Sequence, residues 1–129
     1  MRSNTSVQYG LLAVYYLAKN QSKKLVITQS IADEYNIPPE YLYKILENLV
    51  KAGILKSKRG PGGGFLLAKS PKKITMLEII EAIDGPMVGR IKMIDYKREK
   101  YARNANHILK KATDQYQSVF QKTKLSDLL

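Results

Sequence analysis

Apolar residues recur at helical spacing along most of the chain. The clearest stretch is PEYLYKILENLVKAG at 39–53, where Leu42, Ile45, Leu46, Leu49 and Val50 fall at i, i+3, i+4, i+7 and i+8. That spacing predicts an amphipathic helix, and Gly53 suits the position just past its end. Upstream, Val7, Leu11, Leu12, Tyr15 and Ala18 share one face of a helix predicted over residues 4–19, with Asn4, Thr5 or Ser6 as its cap. Leu25, Val26 and Ile27 form a short run that is read as extended. The stretch TQSIADEY, opening at Thr28, puts Ile31, Ala32 and Tyr35 on one side of a further helix. Asn36-Ile37-Pro38-Pro39 then interrupts. Two prolines are excluded from a helix interior but suit a turn leading into a first helical turn. Two helices joined by so short a turn make a helix-turn-helix, a pattern shared with any short helical hairpin. The second helix turns Glu40, Tyr41, Tyr43, Lys44 and Glu47 or Asn48 away from its apolar stripe. Those groups can bond base edges and phosphates.

The stretch KSKRGPGGGFLLAKS at 56–70 places four of the chain's eight glycines, and a proline, within residues 60–64. Ile54 and Leu55 before it and Phe65, Leu66 and Leu67 after it predict a β-hairpin. Lys56, Lys58, Arg59 and Lys69 lie in or beside its strands. A helix-turn-helix followed by a basic hairpin is a winged helix. Glycine permits positive φ and removes side chains from the tip. A bare tip flanked by Lys58 and Arg59 suits a minor groove or the phosphates; the plainer alternative is a tight turn and nothing more. Nucleotide-binding loops fail on context. A phosphate-binding loop needs Lys and Ser or Thr after its last glycine, opening a helix, and Phe65-Leu66 follows Gly64 here. A dinucleotide fingerprint lacks its last glycine and its βαβ surroundings.

Past the hairpin, Thr75 and Glu78 have capping-box spacing at the start of a helix, MLEIIEAID, whose Leu77, Ile80 and Ile83 face a core. Asp84-Gly85-Pro86 stops it. From about residue 92 to 121 there is neither Gly nor Pro. Tyr101, Ala105, Ile108, Ala112, Tyr116 and Val119 recur at steps of four, three, four, four and three, and Leu109 and Phe120 widen the stripe. One long amphipathic helix over 92–121 is predicted. A helix this long outruns a small domain, so its stripe is expected to meet a second copy of the chain; the alternative is that it folds back on its own domain. The candidate dimer interface is Tyr101, Ala105, Ile108, Leu109, Ala112, Tyr116 and Val119. The closing KLSDLL is read as one more short helix. The expected fold class is mainly α with a small β-wing. Residues 1–86 form a winged helix-turn-helix, and residues 87–129 form a loop, a long dimerisation helix and a short terminal helix.

Composition narrows the function. Among 129 residues, Lys and Arg number 22 and Asp and Glu 11, a formal charge of +11, with a pI near 9.8. Such an excess favours a polyanionic partner. There is no cysteine, which excludes disulfides and thiolate metal sites. No apolar run approaches the roughly 20 residues that span a bilayer. The opening MRSNTSVQYG lacks the apolar core of a signal peptide, so a cytoplasmic protein without membrane contact is expected. The lone His107 is read as a surface or interface residue, and Met87 and Met93 as packing. Tyr9, Tyr15 and Tyr16 are candidates for an effector pocket, with core packing the plainer reading. No catalytic constellation is present, and no enzyme is expected.

The stretches "IADEYNIPPEYLYKILENLVKAGILKSKRGPGGGFLLAKSPKKITMLEIIEAIDGP", "MRSNTSVQYGLLAVYYLA" and "LSDLL" resemble the BadM/Rrf-two family of bacterial winged-helix transcription regulators over nearly the whole chain. The most specific parts are KAGILKSKRGPGGGFLLA and ITMLEIIEAIDGP. The resemblance implies a homodimer in which long helices cross and two winged helices address a dyad-symmetric operator. By motif position it implies a recognition helix over residues 39–51, with Pro39, Glu40, Tyr41, Tyr43 and Lys44 at its exposed start. It implies a wing over residues 57–63: Ser57, Lys58, Arg59, Gly60, Pro61, Gly62 and Gly63, with Arg59 the groove or phosphate contact. Arg2, at the N-terminal helix, and Thr28 and Gln29, at the start of the helix-turn-helix, complete the implied DNA contacts. Cluster-binding relatives carry three cysteines before the long helix. Here that segment is PMVGRIKMIDYKREK, without Cys or His, so the chain resembles the cluster-free branch and no cofactor is expected.

The sequence therefore predicts a DNA-binding transcriptional regulator, a dimeric repressor on double-stranded DNA. Two alternatives stand beside it. One is a DNA-binding module controlled by a regulatory protein, a metabolic enzyme, or by a small-molecule effector. The other is an RNA-binding accessory protein.

Overall fold

The structure is a computed structural model that describes residues 5–20, 24–87, 92–95 and 98–129. Helix α1 spans Thr5–Lys19, α2 Thr28–Tyr35 and α3 Pro39–Lys51. Strands β1, Leu55–Lys58, and β2, Gly64–Leu67, form the hairpin; α4 spans Met76–Asp84 and α5 Lys100–Lys122. Short 3-10 turns occupy Pro71–Lys73 and Leu125–Leu128. Asn4, the first of the candidate caps, lies outside the described residues.

The core forms where the helical stripes converge. Leu42, Ile45, Leu46 and Leu49 of α3 meet Ala13, Val14 and Leu17 of α1, Ile31 of α2 and Ile79 of α4. Each such side chain contributes about 1.5–3 kcal/mol on full burial. Among the described residues no polar or charged residue is buried. Gly10 lets α1 approach α4, since a Cβ there would meet Ile83 Cδ1 at 2.1 Å. The α2–α3 turn follows the predicted signals. Asn36 is left-handed at φ 54°, Ile37 N–H bonds Ala32 O at 2.9 Å, and Pro38-Pro39 open α3. Thr75 caps α4, its Oγ1 accepting from Glu78 N–H at 3.1 Å, while Glu78 Oε2 takes Lys69 Nζ at 2.7 Å.

The hairpin is antiparallel, with Leu55 opposite Leu67 and Lys58 opposite Gly64. The run before α2, read only as extended, has a definite partner. Val26 N–H donates to Phe65 O at 2.9 Å and Phe65 N–H to Val26 O at 2.8 Å. This bridge explains Gly64, where a Cβ would lie 2.6 Å from Val26 O. Gly62 has a different reason: its φ is +74° and nothing surrounds it. The glycine tip thus combines positive φ with a close backbone approach.

Helix α5 corrects its predicted start. It begins at Lys100, not at Lys92. Asn106 explains why. Its Oδ1 accepts Ile94 N–H at 2.6 Å and its Nδ2 donates to Ile94 O at 2.9 Å. In a continuous helix those residues would stand about 18 Å apart, so residues 92–95 instead run back along α5. Its far end returns to its own domain. Leu125 N–H bonds Ile74 O at 2.8 Å, Met76 N–H bonds Thr123 O at 2.8 Å, and Leu125 enters the main core. KLSDLL is therefore a 3-10 turn seated at the start of α4.

Gly64→Ala is expected to destabilise by about 2 kcal/mol or more, through the clash with Val26 and the strained φ. Gly62→Ala is expected to cost about 1 kcal/mol from φ alone. Urea unfolding of both variants checks this; equal midpoints would sink the close-approach explanation.

Candidate DNA interface

Three elements frame one face: the start of α2, the exposed side of α3 and the hairpin. A groove of about 540 Å³ runs between α3 and the hairpin, reaching Ser57, Lys58, Arg59, Gly60 and Gly63 on one wall and Tyr43, Glu47 and Lys51 on the other. A second hollow of about 640 Å³ lies between the starts of α2 and α3, lined by Thr28, Gln29, Pro39, Glu40, Tyr43 and Lys44. Pro61 and Gly62 are exposed at the tip. Arg2 lies outside the described residues. The face therefore brings together most of the residues expected to contact DNA.

Local structure sets each group. Pro39 at the first position of α3 fixes φ where the helix needs no N–H, which leaves Glu40, Tyr43, Lys44 and Glu47 as the first outward turns. Tyr43 leans on the hairpin, its ring edge-on to Phe65 at 6.0 Å. Lys44, Lys51, Lys58 and Arg59 stand without an ion pair among the described residues. Their charge is available for phosphates. Lys44 can donate to guanine O6 and N7, and Glu40 and Glu47 can accept from the cytosine amino group. The two carboxylates also repel phosphate, so the face discriminates as well as attracts.

Tyr41 departs from expectation. Its hydroxyl bonds Ser6 Oγ, and its ring meets Tyr9 edge-on at 5.6 Å. It ties α3 to α1 instead of pointing into either hollow. The groove also holds residues not singled out for it, among them Ile27 and Lys51. A three-residue extended run such as Leu25-Val26-Ile27 carries no facing information without its partner.

The candidate dimer residues divide. Tyr101, Ile108 and Val119 are 79%, 60% and 61% exposed; Ala112 is exposed, and Ala105 and Leu109 are half-buried. Tyr116, half-buried, packs with Phe120 at 4.8 Å, against the cluster of Val7, Leu77, Ile80 and Met87. The stripe is wide enough to serve two surfaces, and Tyr116 lies on the home side. His107 is exposed, Met87 is buried, and Tyr9 and Tyr16 pack on the core. Tyr15 lines a separate apolar hollow with Leu12 and Leu128.

A helix-turn-helix with a basic hairpin beside its second helix defines a winged-helix DNA-binding protein. Residues 3–129 match the Rrf2 family, described as an iron-dependent transcriptional regulator. The chain belongs to that family. It is 36% identical over 128 residues to an Aquifex aeolicus protein named as an HTH-type transcriptional regulator, covering 96% of this chain and 88% of that one. It is 31% identical over 132 residues to the HTH-type transcriptional regulator CymR of Bacillus subtilis, covering 99% and 89%. The solved structure of CymR, the global cysteine regulator of B. subtilis, superposes with a TM-score of 0.78 at 30% identity, covering 99% and 95%. A transcriptional regulator from Listeria innocua gives 0.83 at 34%, covering 99% and 85%. The protein is a DNA-binding transcriptional regulator and not an enzyme. No helix among the described residues is long and apolar enough to cross a membrane.

The iron dependence in the family description does not fit this chain through thiolates. An iron–sulfur cluster is held chiefly by cysteine, and the sequence has none. Among the described residues no three His, Asp or Glu converge on a common point.

Tyr41→Phe is expected to lower stability by about 1 kcal/mol, through the lost bond to Ser6, and to leave DNA affinity unchanged. Tyr43→Ala should weaken DNA binding at least five-fold. Unfolding and gel-shift titrations of both variants check the division; a loss of affinity in Tyr41→Phe alone would reverse it.

Proposed function

We propose that the protein is a cytoplasmic, homodimeric repressor that binds a dyad-symmetric operator. One observation carries this reading: Tyr43, Glu47 and Lys51 on the outer side of α3 and the hairpin cations Lys58 and Arg59 line a single groove. On this reading α3 enters the major groove with Glu40, Tyr43 and Lys44 foremost. The hairpin tip lies against the adjacent backbone with Arg59 as its cation. Lysines and arginines supply most of the affinity and make it salt-dependent. The exposed side of α5, with Tyr101, Ile108 and Val119, meets the same side of a second copy and sets two half-sites about one helical turn or a multiple apart. Repression follows from occluding polymerase.

Selection of bound duplexes from a random pool tests the reading, and an inverted repeat is expected. Equal binding of structured RNA would argue for the RNA alternative. Arg59→Ala should lower the slope of log K against log salt by about 2 for the dimer, one phosphate contact per protomer, with the dimer intact. An unchanged slope would remove Arg59 from the interface. Ile108→Glu is expected to shift the sedimenting species from dimer to monomer at micromolar concentration; an unshifted dimer would place the interface elsewhere.

A further inference from the structure

Helix α2 begins at an unusual residue. Its N-cap is Ile27, at φ −81° and ψ 150°, with no side-chain cap hydrogen bond. N-caps favour Ser, Thr, Asp or Asn, whose oxygens satisfy a free N–H, and β-branched apolar residues are among the poorest choices. Ile27 is also 54% exposed. Its neighbour Val26 is bridged in both directions to Phe65 and packs on the core. Successive residues of an extended segment point to opposite faces, so that bridge fixes Ile27 outward. It is held where apolar surface is costly and where a capping side chain would stabilise the helix.

Its location gives the reason. Ile27 lines both the groove beside the hairpin and the hollow between α2 and α3. It stands on the ridge between them with Thr28, Tyr43 and Glu47. Thr28, Tyr43 and Glu47 beside it donate or accept hydrogen bonds. In the major groove the one apolar feature of a base edge is the 5-methyl group of thymine. We propose that Ile27 is a specificity-determining residue that reads a thymine methyl in each half-site. The proposal rests on the operator-binding reading above, with α3 in the major groove.

The test uses the operator enriched from the random pool by the full chain. Each thymine is replaced in turn by deoxyuridine, which removes only the methyl. At one thymine per half-site the wild type should lose about four-fold in affinity, the worth of burying one methyl group, and about fifteen-fold when both half-sites are changed. Ile27→Ser should be indifferent to that replacement. It should also melt about 3 °C higher than the wild type, because it restores a cap, so any lost discrimination is not a folding defect. Wild-type indifference to every uracil would overturn the proposal, as would undiminished uracil sensitivity in Ile27→Ser. A lower melting temperature in Ile27→Ser would remove the claim that Ile27 is kept at a cost. A pool that enriches no sequence would overturn the operator-binding reading itself, and this proposal with it.

Discussion

Two backbone hydrogen bonds between Val26 and Phe65 fix where the hairpin stands relative to α3. A two-stranded hairpin alone is marginal in water. Here it gains a third extended rung from the segment that opens α2, and Phe65 carries a buried side chain into the core beneath it. Tyr43 then leans on Phe65 from above. Helix α3, the hairpin and the start of α2 are therefore joined through Val26, Phe65 and Tyr43, and the spacing of helix and hairpin is tied to the core. Gly64 makes this possible, since any side chain there would push Val26 away.

This arrangement frees charge from structural duty. The core is closed by apolar contacts, and among the described residues Lys44, Lys51, Lys58 and Arg59 of the candidate interface make no ion pair. The partly buried pair of Lys69 and Glu78 is different: it braces the end of the hairpin against the start of α4. A formal charge of +11 on so small a body opposes compaction by self-repulsion. Neutralisation by phosphates relieves that repulsion, so nucleic acid and fold favour one another.

Much of this was legible in the sequence because the signals were local. The period of α3, the Pro-Pro entry to it, the Thr75 cap and the glycine cluster each depend on neighbours a few residues away. What was not legible depended on partners distant in the chain. Tyr41 and Tyr43 look equivalent on one exposed arc, and only the approach of Ser6 and Tyr9 on α1 separates them. Tyr116 and Tyr101 share a stripe, but periodicity says that a face is apolar, not which neighbour covers it. The absence of Gly and Pro from 92 to 121 permits a helix without requiring one, and Asn106 pins the first part of that stretch elsewhere. The pairing of Val26 with Phe65 left only one trace, an otherwise unexplained fourth glycine.

The return of the chain end has a mechanical consequence. Helix α5 is 23 residues long, about 34 Å, and it is stitched at its C-terminal end to Ile74 and Met76, where α4 begins. It is thus a lever with its fulcrum inside the core that carries α3 and the hairpin. A tilt of about 5° displaces the end of such an arm by about 3 Å. That is close to the rise of one base pair, so in the proposed dimer substitutions along α5 would retune the separation of the two cores.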